Sequence, residues 1–154
     1  AIASTKTIRV EKQGVEFPNA AATSTTALDY YQRGTFTPTV KGGTIAGAGT
    51  YALQSGSYTR IGNRVLFECQ VTWTAHTGTG NLLLDGLPFT IKSQSHNHPL
   101  AIAADNLTFS GQIACIALAN STMAGVYSLA TGAAASAVAM DGTGSLYVSG
   151  SFAV

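Results

Sequence analysis

The chain contains 154 residues, which is enough for one domain with its own hydrophobic core. Charged side chains make up 10% of it, against roughly 25% in average soluble domains, and the formal net charge is +1. This balance argues against a nucleic-acid binder, which carries an excess of Lys and Arg. It also predicts that further copies of the chain cover part of the surface, because so few charges would keep a monomer poorly soluble.

The first segment, residues 1–26, differs from the rest of the chain. Thr5–Glu11 alternates aliphatic with polar side chains, as a short strand does. Phe17–Pro18 and a run of small polar residues follow it. We interpret residues 1–26 as a neck or linker that arrives from something upstream, and residues 27–154 as a head domain.

A short helical turn is predicted where the head begins. Thr25 or Thr26 can cap it, and Leu28 and Tyr31 then share one face. Glycines recur at short intervals along the rest of the chain, which leaves few windows for a helix of ordinary length.

The remaining segments predict strands, and Asn63–Thr77 is the longest of them. Val65, Phe67, Cys69, Val71 and Trp73 alternate with mainly polar residues, so one face is buried. This position favours a place in the core for Trp73 over a contact with a ligand. Ser55–Gly56 predicts a hairpin between two of the others. Those other strands are Thr35–Lys41, Thr50–Gln54, Ser57–Ile61, Asn81–Leu84, Leu100–Ala104, Gln112–Leu118, Val126–Leu129, Ala137–Met140 and Ser145–Val154. Short strands at this spacing favour an all-β fold, an antiparallel β-sandwich of jelly-roll type.

The stretch from Asn106 to Met140 contains no charged residue. Polar residues interrupt it, so no run of about 18 apolar residues remains and membrane insertion is not expected. An uncharged strand surface buried between subunits explains the stretch better. Cys69 and Cys115 are too few for a disulfide scaffold, and their alternating surroundings predict buried thiols.

Several runs follow one another in a specific order and spacing. They are Gly14-Val-Glu-Phe-Pro18, Leu28-Asp-Tyr-Tyr31 with Gly34-Thr-Phe-Thr-Pro38, Tyr58-Thr-Arg-Ile-Gly-Asn-Arg-Val65, Gly86-Leu-Pro-Phe89 and Ser149-Gly-Ser-Phe152. Together they resemble the C-terminal head domain of bacteriophage tail fibres and tailspikes. The chain departs from the family at Gln32 and Arg33, where acidic residues often follow the tyrosines. The resemblance implies a homotrimer at the distal end of the fibre or spike in the virion, assembled in the host cytoplasm. It further implies bacterial surface polysaccharide or lipopolysaccharide as partner, with any glycan-cleaving enzyme in an upstream domain.

Glycan cleavage within this chain would need two carboxylates in reach of each other. Asp29 lies in the turn motif, and Asp85 and Asp141 each precede a glycine in a predicted turn. Only Glu68 has no local explanation other than a solvated outer face. We therefore assign no catalytic residue and no cofactor. A depolymerase whose acids meet across a subunit interface remains an alternative, as does a passive trimerisation cap.

The histidine pair His96 and His98 allows two interpretations. On a strand at a threefold axis, three copies would supply six imidazoles, enough for an octahedral transition-metal site. A polar loop before Pro99 is favoured by the Ser93–Ser95 lead-in, so no metal is assigned.

Carbohydrate recognition needs aromatic faces together with planar polar groups. The candidate receptor or glycan contacts are Trp73, His76, His96 and His98. The resulting hypothesis is a structural and adhesive head that locks three chains together and presents loops to the host envelope.

Overall fold

The computed structural model describes residues 9–11, 14–16 and 30–154. These residues form twelve strands and no helix, and every strand pair is antiparallel, so the all-β prediction is confirmed. The strands are β1 (Arg9–Glu11), β2 (Gly14–Glu16), β3 (Tyr31–Phe36), β4 (Thr39–Gly42), β5 (Gly49–Ile61), β6 (Arg64–His76), β7 (Leu82–Asp85), β8 (His98–Asp105), β9 (Gln112–Ala117), β10 (Ala124–Leu129), β11 (Ser136–Ala137) and β12 (Gly144–Ala153). No helix in the described ranges is long and apolar enough to cross a membrane.

Ten of these strands form one sheet that curls into a half-barrel, and β1 pairs separately with β2. The order is β3-β5-β6-β12-β8-β9-β10-β7-β4, with β11 added to β10. β3 and β4 lie at opposite ends of this order, yet only Thr37 and Pro38 separate them in the chain. A flat sheet would hold them about 38 Å apart, whereas the link reaches about 11 Å. The sheet therefore has to curl.

The core lies inside this curl. On β6 the predicted alternation is confirmed: Val65, Phe67, Cys69, Val71 and Trp73 are all buried. They belong to one hydrophobic cluster with buried residues of the other half of the sheet, which include Leu82, Leu84, Cys115 and Val126. Each large apolar side chain that is fully buried contributes about 1.5–3 kcal/mol to stability.

Three strand predictions are wrong, and one of them is Ala137–Met140, of which only Ala137 lies in a strand. Ser55–Gly56 is not a hairpin turn, because both residues lie inside β5. Gly56 faces Phe36 across the strand pair, and a Cβ there would come within 2.6 Å of the ring. The predicted strand Thr35–Lys41 is divided at Pro38, and its halves belong to opposite edges of the sheet.

The predictions for the first 30 residues fall largely outside the described residues. Within them, the predicted strand Thr5–Glu11 corresponds to Arg9–Glu11, which pairs with Gly14–Glu16. Tyr31, placed by the sequence in a helical turn, instead begins β3 and pairs with Ile61.

Candidate functional site

The runs that carry the tail-fibre resemblance come together in the fold. Gly34 pairs with Tyr58, and a Cβ on Gly34 would lie 2.6 Å from the tyrosine hydroxyl. The Tyr58 ring packs edge-on against Phe89, with 5.1 Å between centroids. The Arg60 guanidinium lies 4.6 Å from the centre of the Tyr30 ring and 5.2 Å from that of Phe89. Residues from three distant runs thus pack into one cluster of rings around a cation.

Residues of these runs also form the link Thr37–Pro38, which connects the two edge strands β3 and β4, and contact it. The Gln54 side-chain amide donates a hydrogen bond to the Pro38 carbonyl at 2.9 Å. Gly86 has φ +81°, and a Cβ there would lie 2.9 Å from the Thr37 carbonyl oxygen. These contacts give the motif residues a structural role in the crossing at Thr37–Pro38.

The strand registers define two ends of the molecule. β6 runs from Arg64 to His76, about 40 Å for its 13 residues. The hairpin end contains the turn between β5 and β6, together with residues 86–97 and 118–123, and the loop end contains residues 43–48, 77–81, 106–111, 130–135 and 141–143.

Trp73 and His76 lie near the loop end and serve the fold. Trp73 is 1% exposed, and its indole N–H donates to the Asp141 backbone oxygen at 3.0 Å. The ring belongs to the core and offers no face to a ligand at the surface. The His76 Nε2 atom lies 3.0 Å from the Val40 carbonyl, and its Nδ1 accepts the Gly78 N–H at 2.9 Å. Both ring nitrogens are therefore used inside the subunit.

His96 and His98 lie at the hairpin end, about 30 Å from Trp73 along the strand direction. His96 belongs to the loop before β8, as the loop interpretation predicted, and is exposed. His98 begins β8 and is 5% exposed. The two rings are 5.3 Å apart at their centroids. The four candidate contacts thus do not form one site.

The environment of His98 does not suit the alternative in which the imidazoles of His96 and His98 both bind a metal ion. Its Nε2 atom is buried and has no hydrogen-bond partner. Burial lowers the pKa of His98, and the nearby charges of His96 and Arg64 lower it further. Because this ring is covered within its own subunit, the two imidazoles are not presented together at the surface.

The acids at the turns hold local structure. The Asp85 carboxylate forms an ion pair with Lys41 at 3.0 Å and accepts the Gly86 N–H. The Asp141 carboxylate accepts the Thr108 N–H at 2.6 Å. Both residues thus act as the turn anchors that their sequence positions predicted.

Glu68 is an exposed acid on the outer face of the sheet. Its carboxylate accepts the Ser57 hydroxyl at 3.3 Å, and a shallow open depression of about 390 Å³ lies on each side of it. Asp105 is two strands and four residues away by register, which separates the two backbone positions by about 16 Å. Glycosidase carboxyl groups lie about 5–9.5 Å apart. The Asp105 carboxylate instead interacts with Tyr147 and raises the pKa of the phenol.

The two cysteines are free and buried, as predicted. Burial raises the pKa of Cys69 to about 12 and that of Cys115 to about 12. Neither thiol ionises near neutral pH, so both act as small apolar core residues.

One outer surface of the sheet is free of net charge. We call it the neutral face: the outward side chains of β4, β7, β10 and β9, which include Leu83, Ile116, Tyr127 and Leu129. Its two charged residues are Lys41 and Asp85, and they neutralise each other in the ion pair. The uncharged stretch of the sequence contributes β9 and β10 to this face.

The opposite outer surface, formed by β3, β5, β6, β12 and the second half of β8, is rich in Ser and Thr. We call it the polar face. At the hairpin end it carries the cationic cluster, which we define as the exposed Arg33, Arg64, Lys92 and His96. Arg60 and His98 lie behind this cluster, because Arg60 pairs with the buried Val65 and His98 pairs with the buried Ala117.

Strand pairing brings the cluster together. Arg64 donates to the Ser151 hydroxyl at 2.6 Å, and the Lys92 backbone N–H donates to the Ala153 carbonyl at 2.9 Å. Periodicity alone did not reveal this grouping, because its members come from three separate segments of the chain.

The residues from 30 onward, together with the short pair β1–β2, contain no group of three His, Cys, Asp or Glu side chains placed to hold a metal ion. What the geometry supplies is two contrasting surfaces, the neutral face and the cationic cluster.

No protein-family model matches the chain, and neither does any curated protein or solved structure.

Proposed function

We propose that the chain is the C-terminal head of a phage tail fibre or tailspike, which forms a homotrimer and presents a recognition surface for bacterial polysaccharide or lipopolysaccharide. On this proposal residues 1–26 are the neck, and residues 27–154 are the jelly-roll-like head that contains the curled sheet. The head acts by adhesion, and glycan cleavage belongs to an upstream domain.

The observation that carries the proposal is the neutral face. The two ions of this outer surface pair with each other, and its Leu83, Ile116 and Tyr127 are only half-buried. Another subunit can therefore cover the surface at a small cost in lost hydration. Association through this face buries apolar area and leaves the polar face outward. It also accounts for the low charge of the whole chain, because the covered area needs no charges for solubility.

Light scattering tests the assembly and its interface together. We expect the purified chain to have three times its monomer mass of 15.8 kDa. Leu83→Lys places an unpaired charge on the neutral face and should shift the protein to smaller species. Leu66→Lys is the matched control, because Leu66 is a 48% exposed leucine on the polar face. A wild-type monomer, or dissociation caused equally by both substitutions, would contradict the proposal.

Glu68 favours a second candidate function, a polysaccharide depolymerase that pairs this exposed acid with an acid of a neighbouring subunit. The two depressions beside it could hold sugar units. This function requires the polar face at the subunit boundary, so Leu66→Lys rather than Leu83→Lys would break the trimer. Release of reducing ends from host capsule by the wild type, lost in Glu68→Gln, would establish it.

A further inference from the structure

The charged residues of the head are strongly polarised along the strands. Residues 30–154 contain five Lys and Arg residues, and four of them lie at the hairpin end: Arg33, Arg60, Arg64 and Lys92. The fifth, Lys41, is paired with Asp85. Of the remaining acids in this range, Asp105 and Asp141 lie toward the loop end, and Glu68 lies near the middle of β6.

The exposed cations are positioned to act together on one ligand. Arg33 lies opposite Thr59 and Arg64 lies opposite Ile61, so both point outward from the polar face. Their backbones are two strands and two residues apart, about 12 Å. The guanidinium of Arg60, held between Tyr30 and Phe89, adds a fixed positive charge behind them.

His98 lies behind this surface, on the inner side of the sheet, and its surroundings indicate the sign of the potential there. Its Nε2 is the buried side-chain polar atom that lacks a hydrogen-bond partner within the described residues. The His98 ring lies 5.3 Å from the His96 ring between centroids, and the positive charges of His96 and Arg64 lower the pKa of His98. The potential at this end of the molecule therefore disfavours a further cation and favours an anion.

We propose that the cationic cluster binds an anionic glycan, a bacterial surface polysaccharide whose sugars carry carboxylate or phosphate groups. The inference rests on the proposed adhesive function and names the ligand class that it requires. Arg33 and Arg64 form paired hydrogen bonds to successive acidic groups, because a guanidinium matches the two oxygens of a carboxylate or phosphate. Lys92 and His96 add charge at the edge. Neutral glycans, which lack these groups, are not bound here.

The test measures the affinity of the full chain for polygalacturonate at low salt. The triple variant Arg33→Gln, Arg64→Gln and Lys92→Gln removes three exposed cations. Its matched control is Ser110→Glu, Thr131→Glu and Ala134→Glu at three exposed loop-end positions, which lowers the net charge equally but leaves the cluster intact. We expect the triple variant to lose about tenfold or more in affinity and the control to retain most of it. Binding should weaken as salt rises through 0.15 M.

Further probes separate the sources of the anion. Methyl-esterified polygalacturonate keeps the sugar backbone without its charge and should not bind. Lipopolysaccharide with a phosphorylated core, compared with the same material after dephosphorylation, shows whether phosphate serves in place of carboxylate. Equal binding of the ester, equal binding by the triple variant, or binding to neither acidic probe would overturn the inference. Duplex DNA bound as tightly as both glycans would overturn the glycan assignment.

Light scattering on the same samples separates this inference from the proposed function. A monomer that still binds through the cluster would refute the trimeric head and leave the anion site standing. A trimer that binds neither acidic probe would refute the site and identify the head as a passive trimerisation cap.

Discussion

His98 is a buried polar side chain whose Nε2 atom has no hydrogen-bond partner among the described residues. An unsatisfied buried polar group costs about 1–3 kcal/mol. Burial, and then the charges of His96 and Arg64, lower the pKa of His98 below its ordinary value of 6.5. As the pH falls below 6.5, the unfolded chain therefore takes up a proton that the folded state resists, so stability is complete above 6.5 and declines in acid.

We predict that His98→Phe keeps or raises the melting temperature at pH 7.5, because the phenyl ring fills similar space without an unpaired nitrogen. The same substitution should flatten the decline in melting temperature between about pH 7 and pH 5. Thermal melts at several pH values check both effects. His96→Asn is the control: the residue is exposed, so most of the acid dependence should remain. A variant that melts well below the wild type at pH 7.5 would show that the nitrogen has a partner after all.

The site residues show what single-residue chemistry can predict. The burial of Trp73, Cys69 and Cys115 was readable from alternation, and it is confirmed. The histidine spacing drew attention to His96 and His98, of which only His96 is exposed. Arg33, Arg64 and Lys92 were missed, because nothing local in the sequence indicates that strand pairing brings three separate cations to one end.

At the scale of elements, two reciprocal contacts hold β3 against β5. Gly34 lies opposite Tyr58, and Phe36 lies opposite Gly56, so each strand offers a glycine to a ring of its partner. Such cross-strand pairs let an aromatic ring cover a glycine that is otherwise weak in a strand. The same contact explains the wrong turn prediction at Ser55–Gly56. Gly56 leaves room for the Phe36 ring of the neighbouring strand, and the sequence alone does not distinguish such a glycine from one in a turn.

Gly56→Ala tests this role of glycine. The added Cβ would lie 2.6 Å from the Phe36 ring, and that ring cannot easily retreat because it packs on Phe67. We expect a loss of about 1–3 kcal/mol in the free energy of unfolding, measured by urea denaturation. Ser55→Ala on the same strand is exposed and should change it by less than about 0.5 kcal/mol. Equal effects of the two substitutions would mean that the ring does not pack on Gly56.

Regular alternation explains which elements were predictable. β6 carries a two-residue burial period from Arg64 to Thr74, because one side faces the core and the other faces water. β5 lacks that regularity: its register shifts between Thr50 and Leu53, and a glycine lies in its middle. Pro38 interrupts the predicted strand Thr35–Lys41, as a proline inside a strand usually does. The side chains on both sides of Pro38 alternate, and this alternation resembles that of one continuous strand.

At the scale of the whole molecule, the sequence predicted an all-β fold without its strand order. The order β3-β5-β6-β12-β8-β9-β10-β7-β4 depends on pairings between residues far apart in the chain, such as β12 with β6. Periodicity reports which side of a strand is buried and is silent about which strand lies next to it. The closure by Thr37–Pro38 and the separation of a neutral from a polar face follow only from that order.

The low charge content has a thermodynamic consequence if three copies do share the neutral face. A homotrimer that dissociates on unfolding is stabilised by mass action, so its melting temperature rises with protein concentration. We predict such a rise for the wild type over a hundredfold range of concentration, measured by calorimetry. Leu83→Lys should lower the melting temperature and remove its dependence on protein concentration. Leu66→Lys should leave the melting temperature and its concentration dependence as they are in the wild type. If the melting temperature of the wild type did not depend on protein concentration, the neutral face would have to be exposed to water in a stable monomer. The 10% charge content would then need another cause than the covering of this face by neighbouring subunits.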